Sequence, residues 1–213
     1  MRIKMLAMLF VLMTTFSGGR LSAAPDDTIK IGVVGFCDSL EPTEQYFSWV
    51  VTRYAVGEIL VRFDEKMNIK PWLAESWTLA DDQLTWTFKI RDGLKFSNGN
   101  PVTAEAVKKS LERTFAMSQR ASANFFQYDS ISAEGRNLTI VSKKTTPSLA
   151  GCLAAPLFLI VDTGVDTTKF ATEGPICTGP YKDIVYNNKM LQGVKMVPSD
   201  YYWLTKNVRP AAK

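Results

Sequence analysis

The chain of 213 residues contains no histidine. That absence removes the side chain that titrates near neutrality, imidazole ligation of metals, and every Ser-His-Asp or Cys-His arrangement. Cysteine is scarce, and Cys37, Cys152 and Cys177 are too scattered to form a paired zinc motif. There is no long basic patch. Lys plus Arg total 25 against 21 Asp plus Glu, but Arg2, Lys4 and Arg20 all fall in the first 24 positions. Past that point the balance is near neutral, too weak an electrostatic term for nucleic-acid binding. No apolar run reaches the roughly 20 residues of a comfortable membrane span, and no repeat or low-complexity tract interrupts the chain.

What is present starts with a leader pattern. Arg2 and Lys4 precede an apolar run over 5–16, glycines break it at 18 and 19, and Ser22, Ala23 and Ala24 follow. This is the layout of a secretory signal peptide over 1–24, with a short uncleaved anchor as the alternative. No cysteine follows the run, so lipid attachment by a lipobox is not expected. The expected location is a periplasm. There one disulfide is chemically allowed, with one thiol left over, and three isolated buried thiols are the other reading.

Along the remainder, TIKIGVVG predicts a first strand over Ile29–Val34, followed by the loop GFCDSLEP. Apolar residues at helical spacing predict a helix over Tyr46–Glu58, weakened by Gly57. ILVRF predicts a short strand before the turn DEKMN. The clearest hairpin is 73–90, with ADDQ as its turn: Leu84, Trp86, Phe88 and Ile90 share one face by the period of two, and Trp77 faces inward from the first strand. The turn GLKFSNGNPV leads to a helix with Thr103 as N-cap and Ala104, Val107, Leu111 and Phe115 as one apolar stripe, predicted to pack on that hairpin. A second hairpin follows with its turn at 134–137. Then come a short helix over 148–153, the apolar extended run APLFLIVD, a polar segment over 163–176, and two strands, 181–186 and 191–197.

Carboxylates suited to hydrolysis do not converge. Glu75, Asp81 and Asp82 lie on or beside a hairpin turn, where solvated acids are expected, and a glycosidase needs two carboxylates flanking one site. Thr178-Gly179-Pro180 is too short, and carries a proline, to cradle phosphate as a glycine-rich loop does. No enzyme is expected, and no cofactor or metal.

Four stretches stand in one order: PWLAESWTLADDQLTWTFKIRDGLKFSNGNPVTAEAVKKSLER, LAAPLFLIVD, GPICTGPYK and SDYYW. In that order and spacing the chain resembles the extracellular solute-binding proteins of the peptide, dipeptide and nickel class (family 5) that serve ABC importers. The resemblance runs over 28–204. It implies an α/β (mixed α+β) fold of the type II periplasmic-binding-protein kind, with mixed sheets, hairpins and packed helices, of which this chain is an incomplete first lobe. Residues 46–174 would be an inserted subdomain. Residues 26–45 and 175–213 would belong to the strand-rich subdomain beside it, and the second lobe would be absent.

The implied function is capture of a peptide or related small solute for delivery to a membrane permease. A nickel chelate is the alternative solute, and a fragment without ligand binding the alternative in kind. The solute-facing residues implied are Phe36, Cys37, Asp38 and Ser39 after the first strand, and Phe125 and Phe126 after the long helix. For Phe36, Phe125 and Phe126 the alternative is ordinary packing. Cys37 and Cys177, in loops of the same implied subdomain, are the pair expected to form a disulfide, with Cys152 a buried thiol. An unfinished lobe would also invite self-association through an exposed sheet edge.

Overall fold

The computed structural model describes residues 39–44, 51–52, 55–186 and 194–204, with backbone only at 183–186 and 194–197. The expected leader, the strand over 29–34 and most of the helix over 46–58 lie outside the described residues. Both expected hairpins are present. Strand β1 (Val61–Phe63) pairs with β2 (Ile69–Pro71) across the turn 64–68. That partner strand was not expected, because three residues are too few to display a period. The Asp64 carboxylate builds the turn by accepting from the backbone N–H groups of Lys66 and Asn68.

The main sheet has four strands: β3 (Ala74–Leu79), β4 (Thr85–Ile90), β5 (Tyr128–Glu134) and β6 (Asn137–Ser142). Their order is β3-β4-β6-β5, all antiparallel, so the two hairpins join through β4 and β6. Trp86 and Phe88 stand opposite Ile140 and Leu138 on that seam. Phe88, Ile90, Leu138 and Ile140 are buried, as the alternation requires, and half-buried Trp77 stacks on Phe88 with ring centroids 6.5 Å apart.

Helix α1 (Ala104–Met117) starts where the capping chemistry predicts: the Thr103 hydroxyl accepts from the Ala106 N–H at 3.1 Å. Ala104, Val107 and Leu111 are buried, and the Phe115 ring meets Phe126, Tyr128 and Phe158 with centroids 4.8–5.6 Å away. Its neighbours correct one expectation. The helix lies chiefly over β5 and β6, the second hairpin, rather than over the first. Because the hairpins merge into one sheet, the helix can follow β4 in sequence and still cover the other half.

Two further expectations are corrected. The helix expected to reach Glu58 has ended by Ala55, whose φ is 58°. There the Ala55 N–H donates to the Thr52 carbonyl and the Val56 N–H to the Val51 carbonyl, the paired bonds of a Schellman stop. The run APLFLIVD is not extended throughout: Pro156–Phe158 form a 3₁₀ turn, with proline at its start, before the chain straightens. The polar segment contains a 3₁₀ turn (Thr167–Lys169) and a short helix (Phe170–Glu173), opened by Asp166, whose side chain accepts from the Thr168 N–H. Strands β7 (Tyr181–Tyr186) and β8 (Val194–Pro198) close the described chain close to the expected positions.

Candidate functional site

The stretches that carry the family resemblance meet in space. The first junction is Asp162, a buried carboxylate at the end of the apolar run. One of its oxygens accepts from the side-chain amides of Asn98 at 2.8 Å and Asn100 at 2.7 Å, and the other accepts from the Gly164 N–H. The polar turn SNGN is therefore tied to a strand-like segment more than sixty residues away. Between the two asparagines Gly99 takes φ +91°, and the Tyr201 ring lies over it: a Cβ there would stand 3.1 Å from Tyr201 Cζ. The Lys95 ammonium sits 5.4 Å from the centre of the same ring. The Ser97 N–H donates to the Cys177 carbonyl, and the Asp162 N–H to that of Ile176.

The second junction explains Thr-Gly-Pro-Tyr. The Gly179 N–H donates to the Val56 carbonyl at 2.9 Å. The approach is so close that a Cβ on Gly179 would fall 2.5 Å from the Val56 oxygen, 2.7 Å from its carbonyl carbon, and closer still to the Ala55 oxygen. Glycine stands there to let two backbones touch.

The third junction centres on Glu58, buried within the core. One carboxylate oxygen accepts from Trp72 Nε1 at 2.9 Å and the other from Trp203 Nε1 at 3.1 Å. The two indoles meet edge to face at 5.1 Å. Arg62 stacks over Trp72 at 3.9 Å, and Arg91 lies 5.2 Å from the centre of Trp203 while donating to the Trp72 carbonyl. Burial pushes the Glu58 carboxyl above its ordinary range, against the opposing pull of its indole partners. Burial, with the Glu58 charge, likewise moves the Tyr202 phenol up to about 12.

The expected site residues fall in two places. Phe36, Cys37 and Asp38 lie outside the described residues. Ser39 is buried, and its hydroxyl accepts from the Glu41 N–H at 3.0 Å. Phe125 is half-buried and Phe126 buried; both pack against Phe158 with centroids 5.1 and 5.7 Å away. Sequence reasoning missed one pair beside Ser39: Arg113 on α1 holds Glu41 with two bonds, 2.9 and 2.7 Å long. An arginine on the less apolar side of a helix reads as solvated, so nothing local marks its partner.

Cys177 carries a free thiol in the structure; Cys37, its expected partner, lies outside the described residues. It is buried against the apolar cluster of Leu40, Val51, Val56 and Phe170, and burial, then the Glu58 and Glu41 charges, raises its pKa well above the ordinary value. Cys152 is half-buried rather than buried, with its sulfur 4.0 Å from the Ser148 hydroxyl. Glu75 forms ion pairs with Lys89 and Arg136 across the sheet, and Asp82 caps its own turn through Leu84 and Thr85, so these acids are occupied structurally. Among the described residues no three Asp, Glu or Cys side chains gather as a metal site.

Comparison with known proteins agrees with this frame. Residues 68–212 match the model for the bacterial extracellular solute-binding proteins, family 5, middle region. The chain is 29% identical over 207 residues to the nickel-binding protein NikA of Staphylococcus aureus, covering 97% of this chain and 40% of that protein. Over 105 residues it is 38% identical to the probable D,D-dipeptide-binding periplasmic protein DdpA of Escherichia coli, covering 46% of this chain and 20% of that one. Its fold superposes on a crystal structure described as a nickel ABC transporter from Bacillus halodurans with a TM-score of 0.69 at 35% identity, over 78% of this chain and 34% of the other. The chain thus spans about 40% of the length of the curated relatives that it matches over nearly its whole extent, and its fold is part of a periplasmic-binding-protein fold. With its family motifs locked into one buried frame and the family model matched over most of its length, the chain belongs to the family 5 bacterial extracellular solute-binding proteins.

Proposed function

We propose that this chain supplies the first-lobe portion of the substrate-binding component of an ABC importer, which captures a peptide or related small solute outside the cytoplasm and hands it to a membrane permease. The family match over 68–212 carries the reading. Residues 46–174 act as the inserted subdomain, and 26–45 with 175–213 as part of the strand-rich one. The solute meets the loop at 36–39 and the segment at 120–127. Of the two phenylalanines there, Phe125 retains ring surface to offer, while Phe126 is buried. Capture is binding with closure: a solute that contacts both lobes better when they are shut shifts the population toward the closed form. One lobe by itself is one wall, whereas a tight site usually buries 70–90% of a small ligand, so the 213-residue chain alone is expected to bind weakly.

A nickel chelate is the second reading, favoured by the nickel-binding relatives above. Uptake distinguishes the two. Deleting the coding sequence from the cells that carry it is expected to lower import of a labelled dipeptide; loss of labelled nickel–histidine import instead selects the second reading. Unchanged uptake of both refutes the function. The leader over 1–24 is proposed to be removed on export, and an intact mass that still includes it would refute that part.

A further inference from the structure

We propose that the cleft between the end of α1 and the start of β5 binds a small cationic amino acid. The cleft has a volume of about 580 Å³, and Glu112, Phe115, Tyr128, Asp129 and Lys143 line it with three small or polar neighbours. All of them are among the described residues. The site therefore needs neither the loop at 36–39 nor a second lobe, and it does not rest on the capture reading. Its three charges arrive by separate routes. On α1, Lys108 and Lys109 stand within one turn of Glu112, yet both turn to Glu105, at 3.7 and 3.8 Å, which leaves Glu112 to the cleft. Asp129 comes by a bulge: Tyr128 pairs with Ser142 and Ser130 with Val141, so Asp129 is the extra residue of β5. In a regular strand Tyr128 would share the face of Ser130, away from α1. The bulge turns Tyr128 to the α1 side, where its ring meets Phe115 at 4.8 Å, and brings Asp129 to the same cleft. Lys143 follows β6 directly and is fixed by its own N–H, which donates to the Gln127 carbonyl at 2.9 Å.

Among the described residues none of these three charges is ion-paired. Two carboxylates against one ammonium leave the cleft one negative charge in excess. Its complement carries two cations and one anion, which is the charge set of an amino acid with a basic side chain. The α-ammonium and a guanidinium can each meet a carboxylate, and the α-carboxylate can meet Lys143. The Phe115–Tyr128 ring pair offers a surface to the aliphatic stem and the guanidinium plane. The volume falls within the roughly 300–1,000 Å³ of small-molecule sites. Asp129 and Lys143 are exposed, so their charges are screened by solvent and the affinity is modest, with Kd of about 0.1–1 mM.

The test is a titration of the isotope-labelled full chain followed by NMR. L-Arginine is expected to shift backbone amides at 112–129 and 143 saturably. L-Citrulline, whose side chain is neutral, is expected to bind about fivefold more weakly or worse, and agmatine, which lacks the carboxylate, about twofold more weakly or worse. Glu112→Gln and Asp129→Asn should each weaken arginine about threefold or more, and Lys143→Gln should erase its advantage over agmatine. The proposal is overturned by no saturable shift up to about 10 mM arginine, by citrulline or agmatine matching arginine on wild type, or by wild-type affinity in both carboxylate variants. If a variant does not fold, the citrulline and agmatine comparisons on the wild-type chain decide by themselves. None of these outcomes bears on the capture reading, which the uptake experiment tests separately.

Discussion

Gly179→Ala is the sharpest perturbation of this fold. Gly179 does not take a left-handed φ, so an alanine there is allowed by its backbone. At an ordinary site such a change stabilises by about 0.4–1 kcal/mol, through the lower entropy of the unfolded chain. Here the methyl group would fall 2.5 Å from the Val56 oxygen and 2.7 Å from its carbonyl carbon, both rigid backbone. Reaching ordinary contact at about 3.4 Å requires a shift of roughly 0.9 Å or more, which strains the 2.9 Å bond from Gly179 to Val56. Overpacking costs about 1–3 kcal/mol and the weakened hydrogen bond about 1 more. The expected loss is about 2–4 kcal/mol. For a chain of this size that lowers Tm by roughly 4–16 °C. Urea and thermal unfolding followed by tryptophan fluorescence, which reports Trp72 and Trp203 beside Glu58, measure it. Gly93→Ala is the control: its φ is +71° with nothing within 4 Å, so only backbone strain of about 1 kcal/mol applies. A Gly179→Ala chain as stable as wild type, or more so, would refute the reasoning that Thr-Gly-Pro-Tyr exists to let two backbones touch.

Leu111→Ala should cost about 2–5 kcal/mol, since Leu111 is fully buried, while Lys109→Ala on the exposed face should stay within about 0.5 kcal/mol; equal urea midpoints would mean the helix face is misassigned. Ala55→Gly should stabilise by about 1 kcal/mol by relieving the left-handed φ of 58° at the helix stop, and a lower midpoint would contradict it. The Glu58 carboxyl is raised by burial, so its favourable contribution is complete below the unfolded value of 4.5 and fades as pH rises through the folded value. Urea midpoints of wild type minus Glu58→Gln should therefore fall from acid toward neutral pH; a difference that grows with pH would overturn the assignment.

The sequence by itself determined the local pieces. Alternation at Trp86, Phe88 and Ile90, with turn residues on either side, allows only a strand with one buried face. Thr103 followed by an apolar stripe allows only a helix that starts there. These are short-range matters of period and unpaired backbone groups, readable wherever they occur. The order of the motifs was also legible, and it pointed to the family. Tertiary structure decided which pieces meet. Two hairpins of equal quality could stand apart or join; the seam between β4 and β6 joins them and moves α1 onto the second. The short helix over Phe170–Glu173 buries its apolar end beside Leu40 and Cys177, although it lies within a polar segment. Asp162, Glu58 and Glu41 look like any surface acid in sequence. Each becomes a junction only because partners 62, 145 and 72 residues away are brought within hydrogen-bond reach. A buried carboxylate is tolerable only with its donors in place, and no local pattern encodes where donors so distant will lie.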